Sequence, residues 1–105
     1  MSSVDKLHHL VALLDRSVSN VDGLYSFNDK SISVLKDIAL YSKNTELYQI
    51  YGKGIRDKFL LNENYSASDV YSIFKKSVSA TEDTSMKDAL AILILPQVGV
   101  ILSCA

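Results

Sequence analysis

Cysteine occurs once in the 105 residues, at Cys104. A lone cysteine has no partner for an internal disulfide, so the fold must be held by packing, and the chain suits a reducing compartment. Histidine is almost as scarce, with His8 and His9 the only two. Neighbouring helical positions point about 100° apart, so the pair cannot address one metal or one nucleophile. Asp5 with His9 would still leave a catalytic zinc without its third ligand. Both histidines are expected as surface side chains.

An excess of either charge is also missing. Eleven Lys and Arg face twelve Asp and Glu, for a net charge of −1. No global field gathers nucleic acid or anionic membrane, and charge-driven binding must be local. The opening MSSVDKLHHL lacks the basic cluster and apolar run of a secretory signal, which predicts a cytoplasmic protein. No serine stands in a G-x-S-x-G elbow, and YGKGIRDKF has the spacing of neither a P-loop nor a dinucleotide fingerprint. Glu82 and Asp83 are adjacent carboxylates in a polar connector, where solvation explains them. No enzyme, cofactor or metal is expected. There is no repeat of fixed period, no low-complexity tract and no linker that would divide the chain, so 1–105 is expected to be a single domain.

What the chain does have is apolar residues at 48% and charged residues at 22%, the balance of a globular domain. Val4, Leu7, Leu10, Val11, Leu14 and Val18 step by three and four, predicting a first helix capped by Ser2 or Ser3 and ending near Asn20. VDGLYSFND then carries a turn signal at Asp22-Gly23, and its apolar residues predict a loop tucked onto the core. Ile32, Leu35, Ile38 and Ala39 predict a second helix from Asn28 or Asp29 to about Ser42. A third begins at Asn44 or Thr45 and is expected to bend at Gly52 and Gly54 or to admit another backbone there, because each glycine weakens a helix interior by about 1 kcal/mol. Ser66 with Asp69 is a capping-box pattern opening a fourth helix, and Ser85 with Asp88 repeats it before a fifth.

The chain ends in DALAILILPQVGVILSCA, whose seventeen residues from Ala89 are interrupted by Pro96, Gln97 and Gly99. A membrane span needs about twenty apolar residues. A helix apolar on every side belongs where every side is covered, so this segment is expected to be the central helix, kinked or broken at Pro96. A hairpin pairing AILIL with VGVIL is the competing reading. The predicted fold is all-α, a single irregular bundle of about five helices. Any apolar surface left uncovered on this segment would serve a homodimer.

Charge is distributed unevenly along the chain. Residues 1–29 hold two basic against four acidic groups, whereas residues 30–58 hold six basic against three acidic. Tyr41, Tyr48, Tyr51, Tyr65 and Tyr71 fall in or just beyond this basic part. Cations supply steering and aromatic rings supply rigid contact area. The candidate binding surface is therefore Tyr41, Lys43, Tyr48, Tyr51, Lys53, Arg56 and Lys58, joined by Tyr71, Lys75 and Lys76. Its expected partner is an acidic segment of another protein, with the chain acting as an adaptor, regulator or immunity-type partner. The alternative is a helix-turn-helix-like DNA-binding protein in which Lys53 and Arg56 reach phosphates, a reading that the net charge weighs against.

Overall fold

The computed structural model describes residues 2–61 and 64–104. Among them are five helices, α1 (Ser3–Ser17), α2 (Asp29–Lys43), α3 (Glu46–Leu60), α4 (Ala67–Ser79) and α5 (Thr84–Ser103). A short antiparallel hairpin of β1 (Ser19–Val21) and β2 (Leu24–Ser26) joins α1 to α2. The architecture is the mostly helical bundle that the apolar spacing predicts, with the hairpin as an addition.

Each helix begins where a short polar side chain can satisfy backbone donors that have no partner in the first turn. The Asp5 amide donates to Ser2 Oγ at 3.2 Å, and the Tyr48 amide to Thr45 Oγ1 at 3.2 Å. At α2 the Ser31 amide donates to Asn28 Oδ1 at 2.9 Å, while the Asn28 amide donates back to Ser31 Oγ at 2.7 Å. The same reciprocal pair opens α4, between Ser66 and Asp69. The Ser66 amide, donating to the Asp69 carboxylate, and after it the Ser66 side chain hold that carboxyl below its ordinary value. At α5 the cap is Asp83 and not Ser85: its carboxylate accepts from the Ser85 and Met86 amides at 2.9 and 3.4 Å.

The apolar terminal segment is one continuous helix from Thr84 to Ser103 that does not break at Pro96, and the competing hairpin does not form. By length and composition α5 could cross a membrane. In this fold α1, α2, α3 and α4 all pack against it, and Ala91, Ile92 and Ile94 to Val98 are buried. Around this middle stand Leu7, Leu10 and Leu14 of α1, Val34, Leu35 and Ile38 of α2, Phe59 of α3, and Val70, Tyr71 and Phe74 of α4. A fully buried side chain of this size contributes about 1.5–3 kcal/mol, so α5 supplies the surface on which the others gain their stability. At Gly99 α2 passes close to α5, and a Cβ there would lie at ordinary contact distance, 3.6 Å, from Leu35 Cβ. Gln97 is the polar exception, fully buried, with Nε2 donating to the Leu93 carbonyl at 3.3 Å.

Two local expectations are corrected. The first helix ends at Ser17, short of Asn20, because the chain enters β1. Val21 pairs with Leu24 across Asp22 and Gly23, whose φ values of 53° and 84° are both positive. A two-residue turn of this hand matches the twist of the strands it joins, which is why Asp-Gly favours a hairpin. The other correction concerns the glycines of α3, which runs unbroken from Glu46 to Leu60. A Cβ on Gly52 would stand 2.9 Å from the Tyr48 ring, whereas one on Gly54 would meet nothing within 4 Å. Gly52 thus makes room for a ring of its own helix and not for another backbone.

Candidate functional site

The ten side chains of the predicted surface separate into groups once they are placed on the bundle. Lys43, Tyr48, Lys53 and Arg56 come together. They line an open groove of about 640 Å³ along one flank of α3, beginning at the last residue of α2. Gln49, Lys53, Arg56 and Leu60 of its wall lie three or four residues apart, the spacing of one helix face. The two-residue link Asn44–Thr45 brings Lys43 to the same side, fixed by the Thr45 amide donating to the Ser42 carbonyl at 2.9 Å.

The groove combines cations with apolar surface. Lys53 Nζ lies 2.7 Å from Asp57 Oδ2, an i,i+4 pair whose lysine side chain is 86% exposed. Exposed pairs of this kind contribute little to stability and are readily exchanged for another anion. Lys43 and Arg56 make no ion pair with any described residue. Three cations and one carboxylate therefore edge a floor made by the half-buried Tyr48 ring over Gly52, with Leu60 and Leu61 at one end. Leu61 is 76% exposed, an apolar side chain facing water at the rim of a basic groove.

The remaining candidates lie elsewhere. Tyr51 and Lys58 are exposed, but residues two apart on a helix point roughly 200° from one another, which sets Lys58 against Arg56 on the other flank of α3. Tyr41 is half-buried against the core and lines a separate depression with Lys6 and Asp37. Lys76 is exposed on α4.

Tyr71 is not a surface residue, and this is the main correction to the predicted site. It is 1% exposed, and its ring meets those of Tyr25, Phe27 and Phe74 with centroids 4.8, 5.7 and 6.1 Å apart. Its hydroxyl donates to Asp15 Oδ1 of α1, and Lys75 Nζ donates to the same oxygen at 3.0 Å. Burial first, then the bond to Asp15 and the charge of that carboxylate, raise the Tyr71 hydroxyl far above its ordinary value, so it stays protonated. Tyr71 and Lys75 hold α1, α4 and the hairpin together. The Tyr25 amide, donating to Ser68 Oγ at 2.9 Å, completes that attachment.

Beyond the contacts of Asp15, sequence reasoning also missed a polar pair between α1 and α5. His8 Nε2 lies 2.7 Å from Asp88 Oδ1, at the mouth of a cleft of about 270 Å³ walled by Val11, Phe74, Val78 and Ala91. Eighty residues separate the two, so no spacing rule could have joined them. Among the described residues no three His, Cys, Asp or Glu side chains come together as a metal site. Compared with protein-family models, with curated proteins and with solved structures, the chain matches none of them.

Proposed function

We propose that this chain is a non-enzymatic protein-interaction module, an adaptor, regulator or immunity-type partner, whose α3 groove takes an acidic, partly apolar segment of another protein. One observation carries the reading: the groove is lined by Lys43, Lys53 and Arg56 together with the half-buried Tyr48 and Leu60 and the exposed Leu61. Cations at the rim accelerate and orient encounter with an acidic segment, and apolar contacts at the floor slow its release. The exposed thiol of Cys104 supports a reducing compartment, in keeping with a cytoplasmic location.

The test is fluorescence anisotropy with labelled twelve-residue peptides in which Glu and Asp alternate with Leu. Wild type should bind, and Lys53→Glu with Arg56→Glu should weaken binding by more than tenfold while the thermal midpoint stays in place. Equal affinity of the two proteins would remove the groove from consideration. A parallel gel shift with random duplex DNA at two salt concentrations separates the other class of partner. Retention that falls steeply with salt would replace the protein-binding reading by a nucleic-acid one, because phosphate contacts release counterions.

A further inference from the structure

The turn of the hairpin is an unusual piece of surface for a bundle whose other apolar side chains mostly face inward. Val21 and Leu24, paired across the two-residue turn, are 63% and 66% exposed. Asp22, in the turn that separates them, is an exposed residue as well and adds one negative charge. The turn is stiffened from within, since the Gly23 amide donates to Asn20 Oδ1 at 3.0 Å. Its base is anchored by Tyr25 and Phe27 stacking on Tyr71 and by the Tyr25 amide on Ser68. The result is an anchored turn that carries two exposed aliphatic side chains and one acidic residue. A preorganised element of this kind loses little conformational freedom when it docks.

The α3 groove has the complementary character, an aliphatic and aromatic floor edged by Lys43, Lys53 and Arg56. None of the turn residues lines the groove of its own molecule, and the stacks on Tyr71 keep the hairpin where it is. We propose that the groove receives the Val21–Leu24 turn of a second copy of this chain, with Asp22 displacing Asp57 from Lys53 or pairing with Arg56, and with Val21 and Leu24 against Tyr48, Leu60 and Leu61. This rests on the groove being an acidic-segment site, as proposed above, and names an occupant for it. The acidic bias of residues 1–29 and the basic bias of residues 30–58 steer copies into this orientation. The contact joins two different patches. It therefore propagates head to tail, into a ring if the rotation closes and into an open chain if it does not. A contact made by one turn is small, which places the association in the weak, transient class.

Sedimentation equilibrium on the full chain tests this. Wild type should show a weight-average mass that climbs above 11.6 kDa as concentration is raised to about 1 mM. A turn variant, Val21→Ser with Leu24→Ser, and a groove variant, Lys53→Glu with Arg56→Glu, should each weaken association more than tenfold and remain monomeric. An equimolar mixture of the two should recover a dimer and nothing larger, because only one intact turn and one intact groove can then meet. Circular dichroism checks that both variants keep the helical content of wild type. A wild-type mass that stays monomeric would overturn the inference, as would association that survives in both variants. The peptide titration separates the two claims: a groove that binds the acidic probe in a protein that never self-associates refutes the second copy alone, whereas a groove that ignores the probe refutes the functional reading.

Discussion

Tyrosine and lysine occur together on both α4 and α3 and do different work in each. On α4, Tyr71 and Lys75 stand one turn apart and both donate to the Asp15 carboxylate of α1. On α3, Tyr48 lies over Gly52 with Lys53 beside it, and the only described anion engaged there is the neighbouring, partly exposed Asp57. The first pair is turned inward and ties three elements together. The second is turned outward and leaves cations and a ring facing water. Residue type alone therefore does not mark a binding surface; what matters is whether the rest of the chain has already satisfied the side chains.

The widest gap between the two places should appear in stability. Tyr71→Ala removes a fully buried aromatic and leaves Asp15 without one of its donors, a loss of about 3–5 kcal/mol in urea unfolding. Tyr48→Ala, at a half-buried site, should cost about 1 kcal/mol. Similar losses would erase the distinction drawn here.

A finer comparison uses pH. The Tyr71 hydroxyl is held protonated in the folded state, far above its ordinary value of 10.0. The folded protein thus retains a proton that the unfolded chain releases, so stability is complete below pH 10 and falls as pH rises beyond it. Tyr71→Phe has no such proton to retain. Its unfolding free energy should be lower than that of wild type at pH 8, by about 1–2 kcal/mol, and should decline less between pH 9 and 11. Parallel alkaline profiles for the two proteins would show that the buried hydroxyl is not the cause.

The smallest effect separates two glycines of one helix. Gly54→Ala enters open space and should stabilise α3 by about 1 kcal/mol through helix propensity. Gly52→Ala carries the same propensity gain but forces the Tyr48 ring aside, so its net change should be near zero or negative and its groove should bind the acidic probe less well. Equal stabilisation by both would mean that the ring moves freely and does not shape the floor.

Much of the bundle was legible because helix starts are local. Ser66 stands out as a cap from the polar residue ahead of its apolar stripe, and Ser2, Asn28 and Thr45 each as one of two adjacent candidates. The α5 cap was missed because TEDTS offers several eligible residues, and nothing local ranks Asp83 above Ser85. Asp22-Gly23 marks a turn, but the strands beside it are three residues each, too short to show alternation, so the segment reads as a loop and not as a hairpin. Tyr71 was misplaced for an avoidable reason. Ala67, Val70, Tyr71, Phe74 and Val78 are spaced as one helix face, so the stripe that buries Phe74 also buries Tyr71. In the candidate site, Lys53 and Arg56 could be joined from spacing because both lie on α3. Lys43 joined them only through the short α2–α3 link, and His8 with Asp88 only through the tertiary fold.

The order of the elements along the chain bears on how the protein is made. Synthesis delivers α1 through α4 before the helix they surround, and pairs as distant as His8 and Asp88 must wait for it. Until α5 leaves the ribosome, the leucines of α1 and Phe74 of α4 lack the helix at the centre of their core, although Tyr71 can already meet Tyr25 and Phe27. The growing polypeptide is then a set of half-formed oily faces, at risk of sticking to its neighbours and dependent on chaperones or speed. Completion of the core comes as a single late event, and an interruption in translation before Asp83 would yield a product with no stable interior.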